Sequence, residues 1–313
     1  MAAETLTTRR APAQPGEVID RTRTVTFTFN GRAYTAHPGD TIASALAAAG
    51  VQTFGHSFKY HRPRGLLCAA GQCPNCLVQV GDEPNVRACR TPVQAGQAVS
   101  SQNVWPSLEL DVMALTQLGS PFMPAGFYYK TFIRPKALWP TYERVLRHAA
   151  GLGRVHPDTP HAEHSKHFLH GEVAVVGGGP AGLSAALAAA AAGARVLLFD
   201  ENPQLGGHLR YGGAAAGQLA ELLAAVERQP NITVYTDTTV LGWFQDHWLP
   251  AVSGGRLYKA RARAVVAAAG AYETPLVFDN NDLPGVMLGS AAQRLLHLYG
   301  VRPGRRAVVA TAN

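Results

Sequence analysis

The sequence predicts an α+β domain followed by an α/β domain whose sheet is parallel and buried. Three features lead to this fold class: a β-hairpin with a short helix near the N-terminus, four cysteines between positions 68 and 89, and a glycine-rich turn after position 176. The 313 residues are 47% hydrophobic and 16% charged, which is a globular composition with enough apolar surface for at least one full core. A chain of this length suits about two domains of ~100–200 residues each.

The first domain begins with a β-hairpin. Residues 24–36 contain two β-rich stretches separated by Asn30-Gly31, which is a strong two-residue hairpin turn. A short apolar helix is predicted at 42–49, and an alternating strand at 77–80. The order of hairpin, helix, irregular cysteine-containing loop and strand predicts a β-grasp domain over residues 24–100.

The four cysteines have the spacing C-x4-C-x2-C-x12-C, and they are Cys68, Cys73, Cys76 and Cys89. Three cysteines spaced C-x4-C-x2-C, with a fourth further along, are the plant-type ligand arrangement of a [2Fe-2S] cluster. Gly65 and Gly71 allow the loop to approach such a cluster closely. Structural zinc prefers two separated C-x2–4-C pairs. The sequence therefore predicts a [2Fe-2S] ferredoxin-like domain, with zinc or four unliganded thiols as the alternatives.

A dinucleotide-binding fingerprint lies between an apolar strand at 173–176 and an alanine-rich helix. Gly177, Gly179 and Gly182 have the G-x-G-x-x-G spacing. The first glycine permits a tight turn, the second lets the backbone approach a pyrophosphate, and the third lets helix and strand pack closely. The N-terminus of the helix then offers free N–H groups and the positive end of its dipole to the phosphates.

Two acidic residues and two later glycines complete this candidate site. Asp200 follows the next strand, where a carboxylate accepts hydrogen bonds from ribose hydroxyls, and Glu201 is the adjacent alternative. Gly207 belongs to a second glycine turn like that of disulfide-reductase-type flavoproteins, and Gly270 to a strand end where such chains pass the cofactor again. The sequence predicts a Rossmann-like FAD/NAD(P)-binding domain in which FAD and NAD both fit, with a nucleotide-free βαβ domain as the alternative.

The predicted organisation has four parts. Residues 1–23 form a flexible arm, 24–100 the ferredoxin-like domain, 101–170 an aromatic connector and linker, and 171–313 an incomplete dinucleotide-binding domain. Five histidines between positions 156 and 170 match no tight ligand spacing. We interpret them as part of a polar linker and not as a metal site.

Charge and hydropathy argue against nucleic-acid and membrane partners. The formal net charge is +7, but the basic residues form no stripe interleaved with aromatic residues. No segment has ~20 uninterrupted apolar residues. Arg9-Arg10 is followed by prolines and acidic residues and not by the apolar stretch of a signal peptide, and no cysteine remains for a disulfide elsewhere. These features predict a cytoplasmic protein.

Several longer motifs carry a resemblance to a known family. The segments 57–65 (SFKYHRPRG), 124–132 (PAGFYYKTF) and 281–287 (NDLPGVM) resemble the α subunit of heterotetrameric sarcosine oxidase. The resemblance implies a hetero-oligomer with a smaller β subunit whose FAD oxidises a secondary or N-methyl amine. It also implies NAD in the dinucleotide site and a second flavin, FMN, near the subunit interface.

Two features separate the chain from that pattern. The α subunits of sarcosine oxidases typically lack the cluster cysteines, so their presence here moves the resemblance towards the α subunits of opine oxidase and hydroxyproline dehydrogenase. The family's α subunit is also longer, whereas this chain ends just after a predicted strand at 306–310 that should begin another nucleotide-binding fold. We therefore expect a C-terminally truncated chain.

The leading functional hypothesis is an electron-transferring subunit of an oxidoreductase complex that acts on CH–NH or CH–NH2 groups. No residue resembles a general base for amine oxidation, and no catalytic residue is assigned. A self-contained NAD(P)H-dependent ferredoxin-type reductase is one alternative. A non-catalytic, cofactor-binding assembly module is the other.

Overall fold

The computed structural model describes residues 9–122, 126, 130, 134–149, 163–213 and 216–311. The chain divides into two compact units. The first unit comprises Met1–Pro157 together with Glu273–Asn313, and the second is Asp158–Tyr272. This grouping differs from the predicted organisation, because the segment after residue 272 joins the first unit and not the dinucleotide-binding domain.

Helices and strands follow the predicted α+β and α/β order. The helices are α1 Ile42–Ala48, α2 Trp139–Ala149, α3 Pro180–Ala191, α4 Ala216–Glu227 and α5 Gly289–Tyr299. The strands of the first unit are β1 Val25–Phe29, β2 Arg32–Ala36, β3 Gly55–His56, β4 Pro63–Arg64, β5 Leu77–Val80, β6 Glu83–Arg87 and β7 Ala98–Ser101. Those of the second are β8 Ser165–His170, β9 Val173–Val176, β10 Val196–Phe199, β11 Ile232–Tyr235, β12 Thr239–Val240, β13 Trp248–Ser253, β14 Arg256–Arg261 and β15 Ala264–Ala267. Within the described residues, none of the helices has the length and apolar character needed to cross a bilayer.

A mixed sheet in the order β2-β1-β7-β5-β6 forms the framework of the first unit. The predicted hairpin is confirmed, since β1 and β2 pair antiparallel with Val25 opposite Ala36. Helix α1 begins at a capping box, in which Thr41 and Ser44 each bond the other's backbone N–H. The helix buries Ile42 in the same apolar core as the β1 residue Phe27, so the predicted hairpin and helix share one core.

The predicted flexible arm, described from Arg9 onward, is instead packed against the first unit. Arg10 forms an ion pair with the fully buried carboxylate of Asp40. The backbone N–H of Ala11 donates to the carbonyl of Gly300 at 2.6 Å. Since a buried carboxylate is unfavourable without a partner, the pairing with Arg10 explains why this part of the arm is ordered.

Helix α5 belongs to the core of the first unit. Leu295 on this helix is 2% exposed, and Val301 just after it is fully buried. Both residues lie in the same apolar cluster as Cys76 and Cys89. These contacts explain why the segment after residue 272 groups with the ferredoxin-like domain.

The predicted strand at 306–310 is wrong. These residues have irregular backbone conformation, and Val308 and Val309 are 98% and 86% exposed. A strand requires a neighbour with which to exchange backbone hydrogen bonds. No such neighbour pairs with this segment among the described strands.

An ion cluster joins two loops of the first unit. Arg62 binds Asp282 through two hydrogen bonds of 2.8 and 2.7 Å. Arg64 also binds this carboxylate. The hydrogen bonds from Arg62 and then from Arg64 hold the pKa of Asp282 well below its ordinary value, although partial burial opposes this shift.

Asp282→Asn is expected to lower the free energy of unfolding by about 1 kcal/mol at neutral pH, because the ion cluster is lost. The folded-state pKa of Asp282 is lowered, so its contribution is complete above the unfolded-state pKa of ~3.9 and is lost progressively as the pH falls from there through the lower folded-state pKa. Denaturant titrations of wild type and variant should therefore differ by a constant amount from pH 8 to about pH 5, and the difference should shrink steadily below about pH 4. A difference that grows on acidification would contradict this.

The second unit contains two sheets. A parallel sheet has the order β11-β10-β9-β15, and a mixed sheet has the order β12-β13-β14-β8. An apolar cluster between them includes Phe199 of β10 and Leu249 of β13. A second cluster packs Leu183 of α3 against Leu198 of β10. This parallel sheet is the predicted α/β framework, but only its inner strands β9 and β10 are buried, whereas the outer strands β11 and β15 are partly exposed.

The predicted connector and linker are only partly within the described residues. The connector contains a 3₁₀ helix at Val112–Phe122 and helix α2. The linker interpretation is wrong for β8, which contains His167 and His170 and pairs in parallel with β14. Two further histidines, His156 and His161, lie outside the described residues.

Candidate cofactor sites

The four predicted ligand cysteines lie around one end of the sheet in the first unit. Cys76 immediately precedes β5, and Cys89 follows the antiparallel β6, so both are at the same end of this strand pair. Cys68, Cys76 and Cys89 are 3%, 1% and 5% exposed, while Cys73 is half-buried. One of the four predicted ligands thus follows the end of β6, and the other three lie in the loop before β5.

The thiols contact one another. Cys68 hydrogen-bonds with Cys73 and with Cys89, and Cys76 with Cys89. The contacts with Cys73 and Cys89 lower the pKa of Cys68. Its contacts with Cys68 and Cys76 raise the pKa of Cys89. Four sulfurs this close form the donor set of soft thiolates that iron–sulfur clusters and zinc require.

The loop backbone also faces the sulfurs. The N–H of Ala70 donates to Sγ of Cys68 at 3.4 Å, and the N–H of Gly71 donates to Sγ of Cys89 at 3.2 Å. Gly71 has φ +76°, and a Cβ there would lie 2.7 Å from Cγ of Arg90. Backbone hydrogen bonds to sulfur are one of the means by which proteins tune iron–sulfur clusters, so the residues fit the predicted group.

The glycine fingerprint lies between β9 and α3. Gly177 has φ +107°, and a Cβ there would lie 2.2 Å from the carbonyl oxygen of Ala268. A Cβ on Gly182 would lie 1.8 Å from the carbonyl oxygen of Gly177. Gly179 is the N-cap of α3 and has no capping side chain, so the first turn of the helix keeps its N–H groups for a ligand. The predicted roles of the three glycines agree with this geometry.

Asp200 is buried directly beneath the fingerprint loop. Its Oδ2 accepts a hydrogen bond from the backbone N–H of Gly178 at 2.6 Å. Its Oδ1 accepts from the backbone and side-chain N–H groups of Asn202 at 2.7 and 2.9 Å. Glu201, the alternative acid, is exposed. Asp200 therefore fixes the fingerprint loop in place, and sequence reasoning missed its partners Gly178 and Asn202.

Asp200→Ala is expected to lower the free energy of unfolding of the second unit by about 1–3 kcal/mol, because the buried N–H of Gly178 loses its acceptor. Glu201→Ala is the control, since its side chain is exposed and should change stability by less than about 0.5 kcal/mol. Denaturant unfolding followed by circular dichroism measures both. Equal effects of the two substitutions would contradict the anchoring role of Asp200.

The second glycine turn touches the first. The N–H of Gly206 donates to the carbonyl of Gly178 at 2.7 Å. A Cβ on Gly207 would lie 3.0 Å from Cα of Gly179. Gly270, by contrast, is exposed with φ +74°, and a Cβ there would meet nothing within 4 Å. Gly207 thus packs against the fingerprint loop. At the end of β15, the residue that approaches this loop is Ala268 and not Gly270.

Two family profiles match separate parts of the chain. Residues 22–104 match the family described as "2Fe-2S iron-sulfur cluster binding domain". Residues 172–243 match the family described as "FAD dependent oxidoreductase". The first range contains all four cysteines, and the second contains the glycine fingerprint, Asp200 and Gly207. The chain therefore carries a [2Fe-2S] domain and an FAD-type dinucleotide domain.

The α subunit of sarcosine oxidase from Rhizobium meliloti (strain 1021) is 43% identical to this chain over an alignment 321 positions long, which covers 95% of the chain. Over nearly its whole length this chain is homologous to sarcosine oxidase α subunits. A subunit of opine oxidase from Rhizobium meliloti is also similar, with 35% identity over 160 residues and 44% of the chain covered. The match thus extends over more of the chain with this sarcosine oxidase than with this opine oxidase.

The chain spans about a third of the length of these curated relatives, 32% and 30% respectively. In fold, the chain resembles L-proline dehydrogenase from P. horikoshii, with a TM-score of 0.65. That alignment covers 94% of this chain and 50% of the other at 23% identity. The structural likeness supports the observed order of a ferredoxin-like and a dinucleotide-binding fold.

Proposed function

We propose that this chain is the electron-transferring part of a multi-subunit flavoprotein that oxidises a secondary amine or imino acid. The observation that carries the proposal is the combination of four adjoining thiols and a dinucleotide cradle in one chain that is homologous to sarcosine oxidase α subunits. A [2Fe-2S] cluster supplies one-electron transfer when bound. Cys68, Cys73, Cys76 and Cys89 would hold it.

The adenine dinucleotide proposed for the second unit is FAD, with NAD as the alternative. Gly177, Gly179 and Gly182 would let its pyrophosphate approach the N-terminus of α3, and Asp200 would face its ribose. The family description of residues 172–243 favours FAD. An FMN near a subunit interface is the further flavin that the family resemblance implies.

The proposed partner is a smaller, FAD-containing β subunit that oxidises the amine. The curated relatives are themselves named as single subunits of sarcosine and opine oxidases, which supports a hetero-oligomer. Sarcosine and opines are the two substrate types that these names suggest. Four free cysteines suit the reducing interior of a cell, which favours the cytoplasm.

An anaerobic reduction experiment tests this proposal. The purified chain is mixed with the sarcosine oxidase β subunit of Rhizobium meliloti, sarcosine is added, and the visible absorption of the cluster is followed. We expect bleaching that requires both sarcosine and the β subunit. Bleaching by NADH or NADPH without the β subunit would instead favour the self-contained reductase.

A matched variant separates electron transfer from assembly. Cys89→Ser should still associate with the β subunit but accept no electrons from it, because association does not need the cluster while electron transfer does. If the wild type also associates without bleaching, although dithionite reduces its cluster, the non-catalytic assembly module is the better account.

A further inference from the structure

Two histidines and an aspartate form a buried cluster in the first unit, outside both cofactor sites. Nδ1 of His56 lies 2.6 Å from Oδ2 of Asp111, and Nδ1 of His61 lies 2.8 Å from the same oxygen. The three ligand atoms all lie within 4.8 Å of one another. The side chains of His56, His61 and Asp111 are 9%, 2% and 2% exposed. No role in the proposed electron transfer uses these residues.

Backbone N–H groups of two other residues hold the carboxylate of Asp111 in place. Its second oxygen, Oδ1, accepts hydrogen bonds from the backbone N–H groups of Trp105 and Met113, both at 3.1 Å. One oxygen is thereby anchored, and the other is directed at the two imidazoles. Such outer hydrogen bonds orient metal-binding carboxylates in proteins.

The two histidines are fixed by their own chain segments. The N–H of His56, in β3, donates to the carbonyl of Gln102 at 3.2 Å. The N–H of His61 donates to the carbonyl of Ser57 at 3.0 Å, and the residue has φ +47°. Non-glycine residues rarely adopt the left-handed backbone conformation, and they keep it where the surrounding structure requires it. The imidazole of His61 is thus held facing Asp111.

The charge of the cluster favours a cation. The buried carboxylate of Asp111 needs a compensating positive charge, which a protonated imidazole or a bound cation supplies. The nearby guanidinium groups of Arg62 and Arg64 are bound to Asp282. A divalent cation among the three side chains would compensate the charge of Asp111.

We propose that His56, His61 and Asp111 form a binding site for a divalent first-row transition metal ion, with Zn²⁺ as its ordinary occupant. Two imidazoles and one carboxylate are a common zinc ligand set that leaves one position for water. In tetrahedral geometry, ligand atoms that lie ~2.0–2.2 Å from zinc are ~3.3 Å from one another. Zinc binding would therefore replace the two hydrogen bonds and lengthen each distance from Nδ1 to Oδ2 by roughly half an ångström.

The ion would join two separate parts of the first unit. His56 ends β3 and His61 lies in the loop between β3 and β4, whereas Asp111 immediately precedes the 3₁₀ helix Val112–Phe122. The ion would therefore tie the loop before the cysteines to the connector. This inference does not rest on the proposed electron transfer, because no cysteine is a ligand.

Metal titration of the full chain, purified with its cysteine-bound cofactor and treated with a chelator, tests the proposal. We expect one equivalent of Zn²⁺ to bind and to raise the thermal unfolding midpoint. Co²⁺, used as a probe, should give visible ligand-field bands without an intense thiolate-to-cobalt band. Failure to bind an equivalent of Zn²⁺, or a thiolate band that accounts for the bound Co²⁺, would overturn the proposal.

Substitutions locate the bound ion. His61→Gln and Asp111→Asn should each weaken Zn²⁺ binding by more than the ~10–100-fold that loss of an outer-shell partner costs. If circular dichroism shows that either variant does not fold, His56→Gln takes its place as the ligand variant. His37→Gln is the matched control, because the ring of His37 hydrogen-bonds with the carbonyl of Arg23 and not with Asp111. Equal Zn²⁺ affinity in the folded ligand variants and the control would reject the site.

Discussion

Replacing Cys89 by serine is expected to remove the iron–sulfur cluster. Cys89 is 5% exposed and adjoins the thiols of Cys68 and Cys76, so its loss removes one of the four proposed ligands. A [2Fe-2S] cluster brings about two iron atoms to the wild-type chain. The variant should retain less than about a tenth of this iron. Iron and sulfide analysis, with the visible spectrum and the EPR signal of the reduced protein, measures the effect.

The dinucleotide site provides the internal control for Cys89→Ser. The glycine fingerprint lies in the other compact unit, so the amount of nucleotide extracted per chain should not change. A variant that keeps its iron and sulfide would contradict the assignment of Cys89 as a ligand. If wild type instead contains one zinc ion per chain and the variant loses it, the four cysteines bind zinc and not an iron–sulfur cluster.

Gly182→Ala is expected to have the second large effect. The added Cβ would lie 1.8 Å from the carbonyl oxygen of Gly177, and because this contact is with backbone, α3 must move away from the fingerprint loop. Such overpacking costs ~1–3 kcal/mol. If this free energy destabilises the nucleotide-bound state, nucleotide binding is weakened by roughly 5–150-fold. Titration of the nucleotide-free chain with FAD measures the dissociation constant.

Gly217→Ala is the matched control for Gly182→Ala. It makes the same substitution in α4 of the same unit, where a Cβ would meet nothing within 4 Å. The control should bind FAD as wild type does and gain slightly in stability, because alanine is the better helix former by ~1 kcal/mol. If Gly182→Ala binds FAD as tightly as Gly217→Ala, close packing at Gly182 does not shape the site.

The local parts of both sites could be predicted from the sequence. The spacing of Cys68, Cys73 and Cys76 predicts one loop because three ligands so near in sequence can reach a cluster only from a single turn of chain. The structural roles of Gly177 and Gly182 could be predicted because a predicted strand precedes them and a predicted helix follows. In each case the chemistry depends on residues close together in sequence.

Contacts between distant segments could not be predicted in this way. The pairing of α5 with the first unit depends on Leu295 and Val301 filling a core that also contains Cys76, and an apolar helix pattern does not reveal which core it will enter. The strand β8 was missed for a similar reason, since most of its side chains are polar and exposed. Only its pairing with β14 makes it a strand.

Hydrogen-bond partners of site residues were also missed. Asp200 was predicted from its distance to the glycines, but its bonds to Gly178 and Asn202 depend on how the loop closes over the strand end. His56, His61 and Asp111 were not brought together either. Their Nδ1 and Oδ2 atoms meet although Asp111 is 50 residues beyond His61 in the chain, and no sequence spacing indicates that contact.

Cofactor analysis of the anaerobically purified chain tests the central claim most directly. The measurement combines iron, sulfide and zinc content, the EPR spectrum after reduction, and the identity and amount of extracted nucleotide. The account predicts about two iron and two sulfide per chain with the S = 1/2 signal of a reduced [2Fe-2S] cluster, together with one FAD. A folded chain that contains zinc or no metal at the four cysteines, and no nucleotide, would contradict it.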